Sequence, residues 1–450
     1  MGKEWHEMTA DEKQEAQFQK LLSPKDPEGN DLKFQSPEAE ANYKAILTRI
    51  KDAIQMKKTP DRVPVAVFPS MFPWLHAGMT PQEAMYDYDK CMEAFKKFML
   101  EFQPDMHLGA AVPGAGKFYE ILDYKLYSWP GHGVAPEHSY QCNEAEYMKP
   151  EEYDLLLMDP SFYFRNFYLP RVFGALQGFS MLAPHTATLE MYGLAGFYVP
   201  YGLPPVQETF NKLFEAGAEA LKWVTALVTN GIELATLGFP GLAAGFSKAP
   251  YDVIGDTLRG TRGIMMDIYQ RPDKLLKAME ALVPIMIGMG VSQVQQTGNP
   301  LVFMPLHKGA DGFLSDEQFQ KFYWPTFKAV MMGLIEGGCI PFPALEGHWD
   351  SRLNVIQDIP KGKTAWMVDQ SDMVQAKKTL GKNACLLGNV PSSMLRLSTP
   401  DEVKAYCKKL IDTVGKGGGF ILGNGAFFDE ANPENVKAMV DFTKEYGVYK

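Results

Sequence analysis

Several things are scarce in this 450-residue chain, and each scarcity excludes something. Cysteine occurs five times, at Cys91, Cys142, Cys339, Cys385 and Cys407, scattered and without a CxxC pair. That is neither a disulfide framework nor a sequence-local zinc clip. Positive charge is in deficit, with 44 Lys plus Arg against 54 Asp plus Glu and a net charge of -10. Phosphate backbones need a basic face, so no nucleic-acid partner is expected. Long apolar runs are missing too: the stretches around Leu282–Val291 and Ala235–Phe246 are short and interrupted by Gly and Pro. They predict no membrane span. Residues 1–17 are polar and acidic with no apolar core, so no secretory signal is read there and a soluble, cytoplasmic protein is expected.

What is present is ordinary globular composition, 46% hydrophobic and 22% charged. The length allows one large α/β barrel or two to three smaller units. Helix starts share one signal, a polar cap, then Pro, then acids: Ser36-Pro37-Glu38, Thr80-Pro81-Gln82-Glu83, Thr399-Pro400-Asp401-Glu402 and Asn432-Pro433-Glu434. Pro is harmless at the first helical position because that amide has no helical partner. The acids suit the positive end of the dipole. Short apolar runs predict strands at Val63–Phe68, Met106–Val112, Leu301–Leu306, Ile340–Leu345, Thr364–Val368, Cys385–Leu387 and Phe420–Leu422. The last four alternate with helical segments, which predicts a parallel sheet, doubly wound or closed as a barrel. Residues 1–60 read as an N-terminal helical arm, with the first 35 as a surface segment. Residues 162–245 read as a helical insertion in which Val206, Phe210, Leu213, Phe214, Leu221, Val224 and Val228 form one apolar stripe.

In such a sheet the chemistry sits just after the strands. The polar residues there are His307, Lys308 and Asp311; Glu346, His348 and Asp350; Asp369; Asn389; and Asn424. Glu346 and His348 flank Gly347 at a strand end, a spacing that suits a pair of ligands for a divalent ion or a general acid/base pair. An ordinary polar strand end is the competing reading. Gly114-Ala115-Gly116-Lys117 lacks the Ser or Thr of a phosphate loop and reads as a plain loop. Gly415–Gly419 reads as a helix end. His132, His138 and Glu144 lack zinc-ligand spacing and read as surface or lid residues. The aromatic run Phe162–Tyr168 reads as core, or as a wall for a flat ligand.

Four blocks in the C-terminal third carry a resemblance: Leu386-Leu387-Gly388-Asn389-Val390-Pro391, the Thr399-Pro400-Asp401-Glu402-Val403 helix start, Gly419-Phe420-Ile421-Leu422-Gly423-Asn424-Gly425, and Asn432-Pro433-Glu434-Asn435-Val436. Together they resemble the uroporphyrinogen decarboxylase superfamily, over about Arg62 to the C-terminus. The resemblance implies an α/β fold: a (β/α)8 TIM barrel across residues 61–450, with the N-terminal helical arm and the insertion added. It also implies one of two chemistries, tetrapyrrole decarboxylation or zinc-dependent methyl transfer involving a corrinoid protein. Val67-Phe68-Pro69-Ser70-Met71-Phe72-Pro73 holds no Arg to pair with porphyrinogen carboxylates, which argues against decarboxylation of that substrate. The superfamily's His-x-Cys and distal Cys zinc ligands correspond to Glu346-Gly347-His348 and Ala426, so the thiolates are replaced by harder donors.

The expectation is therefore a corrinoid-dependent methyltransferase that moves a methyl group from a small O-methyl donor, such as an aryl methyl ether, to a corrinoid protein. Glu346 and His348 are expected as catalytic zinc ligands, with zinc as Lewis acid. His307, Asp369, Asn389 and Asn424 are expected to bind substrate, and His307 is also a candidate third ligand. The cobalamin is expected on a partner protein, and a homodimer is left open. The alternatives are a metal-independent decarboxylase or lyase on the same barrel, methyl transfer from a corrinoid protein to another acceptor, and a binding protein with a degenerate site.

Overall fold

Along residues 3–26 and 28–450, which the computed structural model describes, three short strands come first: β1 (Tyr127–Pro130), β2 (Gly133–Val134) and β3 (Gln141–Cys142). They form a small sheet of order β2-β1-β3. Six more, β4 (Ala243–Phe246), β5 (Leu301–Leu306), β6 (Ile340–Leu345), β7 (Ala365–Val368), β8 (Cys385–Val390) and β9 (Phe420–Asn424), lie side by side in that order. Every neighbouring pair is parallel. Beyond β9 the sheet continues through single parallel bridges, Val65 to Leu422 and Ala66 to Met106. Eight parallel segments in sequence, with helices between, make a (β/α)8 barrel.

The alternation of side chains explains why these runs are strands. Leu301, Ile340, Phe342, Ala344, Ala365, Met367, Cys385, Leu387 and Ile421 share one buried cluster with Ala66, Phe68, Met106 and Leu242, which fills the barrel interior. Their neighbours Val302, Met304, Trp366, Val368, Leu386, Phe420 and Leu422 belong to a second cluster shared with the surrounding helices. A period of two with both faces apolar is what a parallel strand covered on each side requires. β5 and β6 keep the bounds read from sequence. The predicted strands at 63–68 and 106–112 are much reduced. The chain turns at Gly109, at φ 83°, so residues 109–112 leave the sheet. β4 was not anticipated, and it ends the segment read as a wholly helical insertion.

The first 35 residues are not a surface segment. Phe18 and Leu21 of helix Ala10–Leu22, and Ile46, Leu47, Ile50 and Ile54 of helix Pro37–Gln55, join the barrel-interior cluster. Gln14 donates to the Cys339 carbonyl just before β6, at 2.8 Å. Arg49 and Arg62 both pair with buried Asp105, the residue before Met106, at 2.8 and 2.6 Å. These helices therefore plug the amino ends of the strands and leave the carboxyl ends as the open mouth.

Two other readings change. In helix Pro204–Thr236 the buried positions include Ala216, Trp223, Asn230 and Leu234, while Phe214, Leu221, Val224 and Val228 of the predicted stripe are exposed. Helix Pro272–Thr297 has 26 residues and is long and apolar enough, by length and composition, to cross a membrane. The run read from sequence as too short is thus part of a longer helix. Its Leu275, Ala278, Met279, Leu282, Met286 and Val294 fall on one buried face, as expected of a barrel helix packed against the sheet.

Candidate active site

The strand ends place His307 and Lys308 directly after β5, Glu346 directly after β6 and Asp369 directly after β7. A fourth contributor, which sequence reading missed, is the single turn of π-helix Val253–Leu258 that follows β4. It carries Asp256, and Asp252 sits immediately before it. Asp256 is the hub: Oδ2 lies 2.6 Å from His307 Nδ1 and 2.5 Å from Lys248 Nζ, and Oδ1 lies 2.8 Å from Lys308 Nζ. Burial alone would raise this carboxyl, but the three cations hold it well below the usual carboxylate range.

Asp252 is fully buried and accepts from the His307 and Lys308 amides at 3.2 and 2.9 Å and from the Tyr323 hydroxyl at 2.6 Å. It thereby fixes the backbone that presents His307. Burial, then the nearby Asp256, pushes the Asp252 carboxyl up; burial and Asp252 together push the Tyr323 phenol well above its ordinary value. The signal for Asp256 in sequence was weak, because an unrecognised short strand and an irregular helical turn precede it.

On its other side His307 faces Glu346, with Nε2 to Oε1 at 3.6 Å. That is longer than a hydrogen bond, so the Nε2 proton is the one left to donate. Burial works against charge on this imidazole. The hydrogen bond to Asp256 and the attraction of the Asp256 and Glu346 carboxylates outweigh it and lift the group to about 10. At neutral pH His307 is an imidazolium, anchored at one nitrogen and 37% exposed at the mouth.

The other predicted residues are arranged as follows. Gly347 takes φ 79°, a left-handed turn that a glycine adopts without cost. This turn lets the Gly347 amide donate to Asp369 Oδ2 at 2.9 Å. Burial, reinforced by Glu346, raises Asp369 above the usual carboxylate range. His348 points elsewhere: it is 60% exposed and lies 3.7 Å from Asp350. Glu346 is thus brought to His307 rather than to its sequence neighbour.

Asn389 lies within β8 and donates to the Asp369 and Ser371 carbonyls at 2.9 and 3.1 Å. Asn424 is fully buried; it accepts from the Phe68 amide and donates to the Phe68 and Ala426 carbonyls, all at 2.9 Å. Both amides are committed to backbone. Asn389 ties β8 to the turn after β7, and Asn424 ties β9 to the first barrel segment.

The donors fall short of the zinc site expected from sequence. A catalytic zinc takes three protein ligands. Among the described residues no group of three His, Cys, Asp or Glu side chains is placed to hold a metal. His307 and Glu346 face each other, but His348 does not join them. Cys91, Cys339, Cys385 and Cys407 are buried, and burial pushes each thiol up to about 12. The residues present do not fit the metal.

The β1–β3 sheet and the 111–114 loop line a half-open cavity of about 240 Å³. Its walls include Met85, Tyr119, Tyr124, Tyr127, Trp129 and Tyr140. The run Phe162–Tyr168, the aromatic candidate from sequence, joins the end of helix Pro160–Tyr163 to the π-helical turn Phe164–Tyr168, with Tyr163 and Tyr168 buried and Tyr163 parallel to Phe167. It packs as core. Gly114 lines the cavity wall, and Gly116 makes room beside it, since a Cβ there would sit 2.4 Å from the Tyr86 ring. His132 stacks on Trp129 at 4.7 Å.

A barrel with this mouth is matched by known proteins. The family model described as uroporphyrinogen decarboxylase (URO-D) matches residues 207–446, more than half of the chain. The chain belongs to that family. The uroporphyrinogen decarboxylase of Chloroherpeton thalassium is 24% identical over 218 residues, a match spanning 46% of this chain and 59% of the relative. A solved methyltransferase from Methanosarcina mazei superposes with a TM-score of 0.57 at 15% identity, covering 89% of this chain and 98% of that one. It shares the fold.

Proposed function

We propose that this chain is a methyltransferase that takes a methyl group from a small O-methyl compound and passes it to a reduced corrinoid on a separate protein, with His307 as the acid that protonates the departing oxygen. The observation that carries this reading is the line Asp256–His307–Glu346 at the strand ends, with the imidazole anchored at Nδ1 and its Nε2 facing the mouth. An ether C–O bond resists cleavage because the leaving oxygen takes the bonding pair as an anion. A fixed imidazolium supplies the compensating proton, an effect of typically about 10²–10⁴-fold. The bookkeeping closes: the C–O bond breaks, the methyl carbon takes its new bond from the electron pair of Co(I), and the oxygen takes the Nε2 proton. Solvent then reprotonates the imidazole. Membership of the URO-D family and the methyltransferase fold neighbour support the reading.

His307, lifted to about 10, is matched to a phenol leaving group, since phenols titrate near roughly 10. It is poorly matched to an aliphatic alcohol, which titrates closer to water's value of about 16. A second reading, decarboxylation or lyase chemistry, draws on the same imidazolium, which would protonate a carbanion, and on the activity of the Chloroherpeton relative. The test is to mix the protein with cob(I)alamin and guaiacol and follow the cobalt absorbance. Conversion to methylcobalamin together with release of catechol is the expected result. No conversion with any O-methyl donor, alongside CO₂ release from aromatic acids, would move the second reading to the front.

A further inference from the structure

We propose that the cavity under the β1–β3 hairpin is the pocket for the donor's aromatic ring, which makes the substrate class a methoxylated arene and Tyr119, Tyr124 and Trp129 its specificity determinants. This rests on the methyl-donor reading above. At the roughly 30 Å³ that a water molecule occupies, a cavity of about 240 Å³ holds a ligand of about eight non-hydrogen atoms, the size of one substituted ring. The rings are set at mixed angles. Tyr119 and Tyr124 are 29° from parallel at 5.5 Å, and Tyr124 and Tyr127 are 25° from parallel at 6.0 Å. Trp129 stands at 65° to Tyr119, and Tyr140 at 80° to Tyr127. A flat ligand inside such a set meets both stacked and edge-on partners, the two arrangements that aromatic pairs favour.

Outer faces are already covered. Tyr124 is backed by Phe173 at 4.9 Å, and Trp129 by His132 at 4.7 Å. These contacts hold the rings in place without a ligand.

Two chemistries recognise aromatic walls, a flat ring and a quaternary ammonium, and the surroundings favour the ring. None of the lining residues carries a carboxylate. Burial first, and then neighbours that include Asp256, raise the Tyr127 phenol, so the cluster of Lys248, Lys308 and His307 around Asp256 lies beside this wall. Three cations share Asp256 in that cluster, a balance that suits an oxygen becoming phenolate better than an onium group. The Tyr124 hydroxyl has no hydrogen-bond partner among the described residues and is free to donate to a ring substituent.

The test is isothermal titration of the intact chain with guaiacol, with no corrinoid present, so that binding is read apart from methyl transfer. One guaiacol per chain is expected, with cyclohexyl methyl ether weaker. Trp129→Leu should weaken guaiacol about 2- to 10-fold, and Trp129→Phe should stay within about twofold. Tyr124→Phe, which removes only a hydroxyl and spares the packing, should weaken guaiacol but not anisole. Binding that survives while methyl transfer fails in the wild type would count against the function and leave the pocket standing. No heat with guaiacol, equal affinity in Trp129→Leu, or tetramethylammonium bound more tightly than guaiacol would each overturn the pocket.

Discussion

The stretch from β5 to β9 and the stretch from Gly109 to Gly202 make up the two sides of one mouth, and they are built differently. The first is regular: strands of four to six residues, each paired in parallel to its neighbours, with His307, Glu346 and Asp369 at the first position past β5, β6 and β7. The second is a succession of short 3-10, π and α turns around a three-stranded sheet with no long strand. The regular side presents His307 and Lys308 to Asp256, which the π-turn after β4 supplies, and Glu346 to His307; buried ionic groups of this kind must be over-determined to be tolerated. The irregular side supplies shape, through aromatic rings that pack in many registers. Division of labour between a fixed ionic half and an adaptable aromatic roof is what the barrel offers: its scaffold strands stay constant while its loops vary.

Substitutions can break or sharpen this contrast. The largest expected effect is at the ionic hub. Asp256→Asn leaves Lys248, Lys308 and His307 without their shared counter-ion, and should lower unfolding free energy by about 3 kcal/mol, read by urea denaturation. Guaiacol affinity should barely change, because the aromatic wall is untouched. If affinity collapses with stability, the two sides are one unit and the contrast fails.

Next is Asn424→Ala, on the regular side but away from charge. It orphans the buried Phe68 amide and carbonyl. A loss of about 2–3 kcal/mol is expected, visible as a lower Tm, with the leaving-group dependence of turnover unaltered. A specific loss of activity without loss of stability would return Asn424 to the substrate-binding role that its sequence position suggested.

The smallest effect, once solvent screening at an imidazole 37% exposed is allowed for, is in the pH profile of stability. His307 is raised to about 10 when folded, against an ordinary 6.5. Between these values the folded state holds a proton that the unfolded state has lost. Its contribution is therefore complete below about 6.5 and disappears as pH rises through about 10. Asp256, held low, has the opposite sense, and its contribution is lost as pH falls through the acid range. Unfolding free energy should decline across the alkaline window in the wild type and run flatter in His307→Gln. Parallel curves would mean the imidazole is not held as a cation.

How much of this was legible in the sequence follows the same divide. Leu301–Leu306 and Ile340–Leu345 could be read to the residue, because a fully buried parallel strand is a bounded apolar run. Glu346, His307 and Asp369 were singled out because the barrel puts chemistry at the position after a strand. Pairing across strands was not legible, since Glu346 meets His307, some forty residues away, and not His348 two residues on. Asp256 and Asp252 were invisible because β4 is short and the π-turn after it has no clean periodicity. The aromatic cavity went unread for a related reason: composition flags the density of Phe162–Tyr168, and that dense run packs on itself, in line with its reading as core. The actual wall is assembled from rings spread between Tyr119 and Tyr140. Asn389 and Asn424 show the limit from the other side, because a polar residue at a strand end also satisfies backbone.

The most direct measurement is methyl transfer to cob(I)alamin from two donors, guaiacol and 4-nitroanisole, by wild type and His307→Gln. Nitrophenolate leaves readily without a proton, whereas the guaiacol oxygen needs one. If His307 is the acid, the variant should lose about 10²–10⁴-fold with guaiacol and far less with 4-nitroanisole. An equal loss with both donors, or no loss with guaiacol, would contradict the assignment.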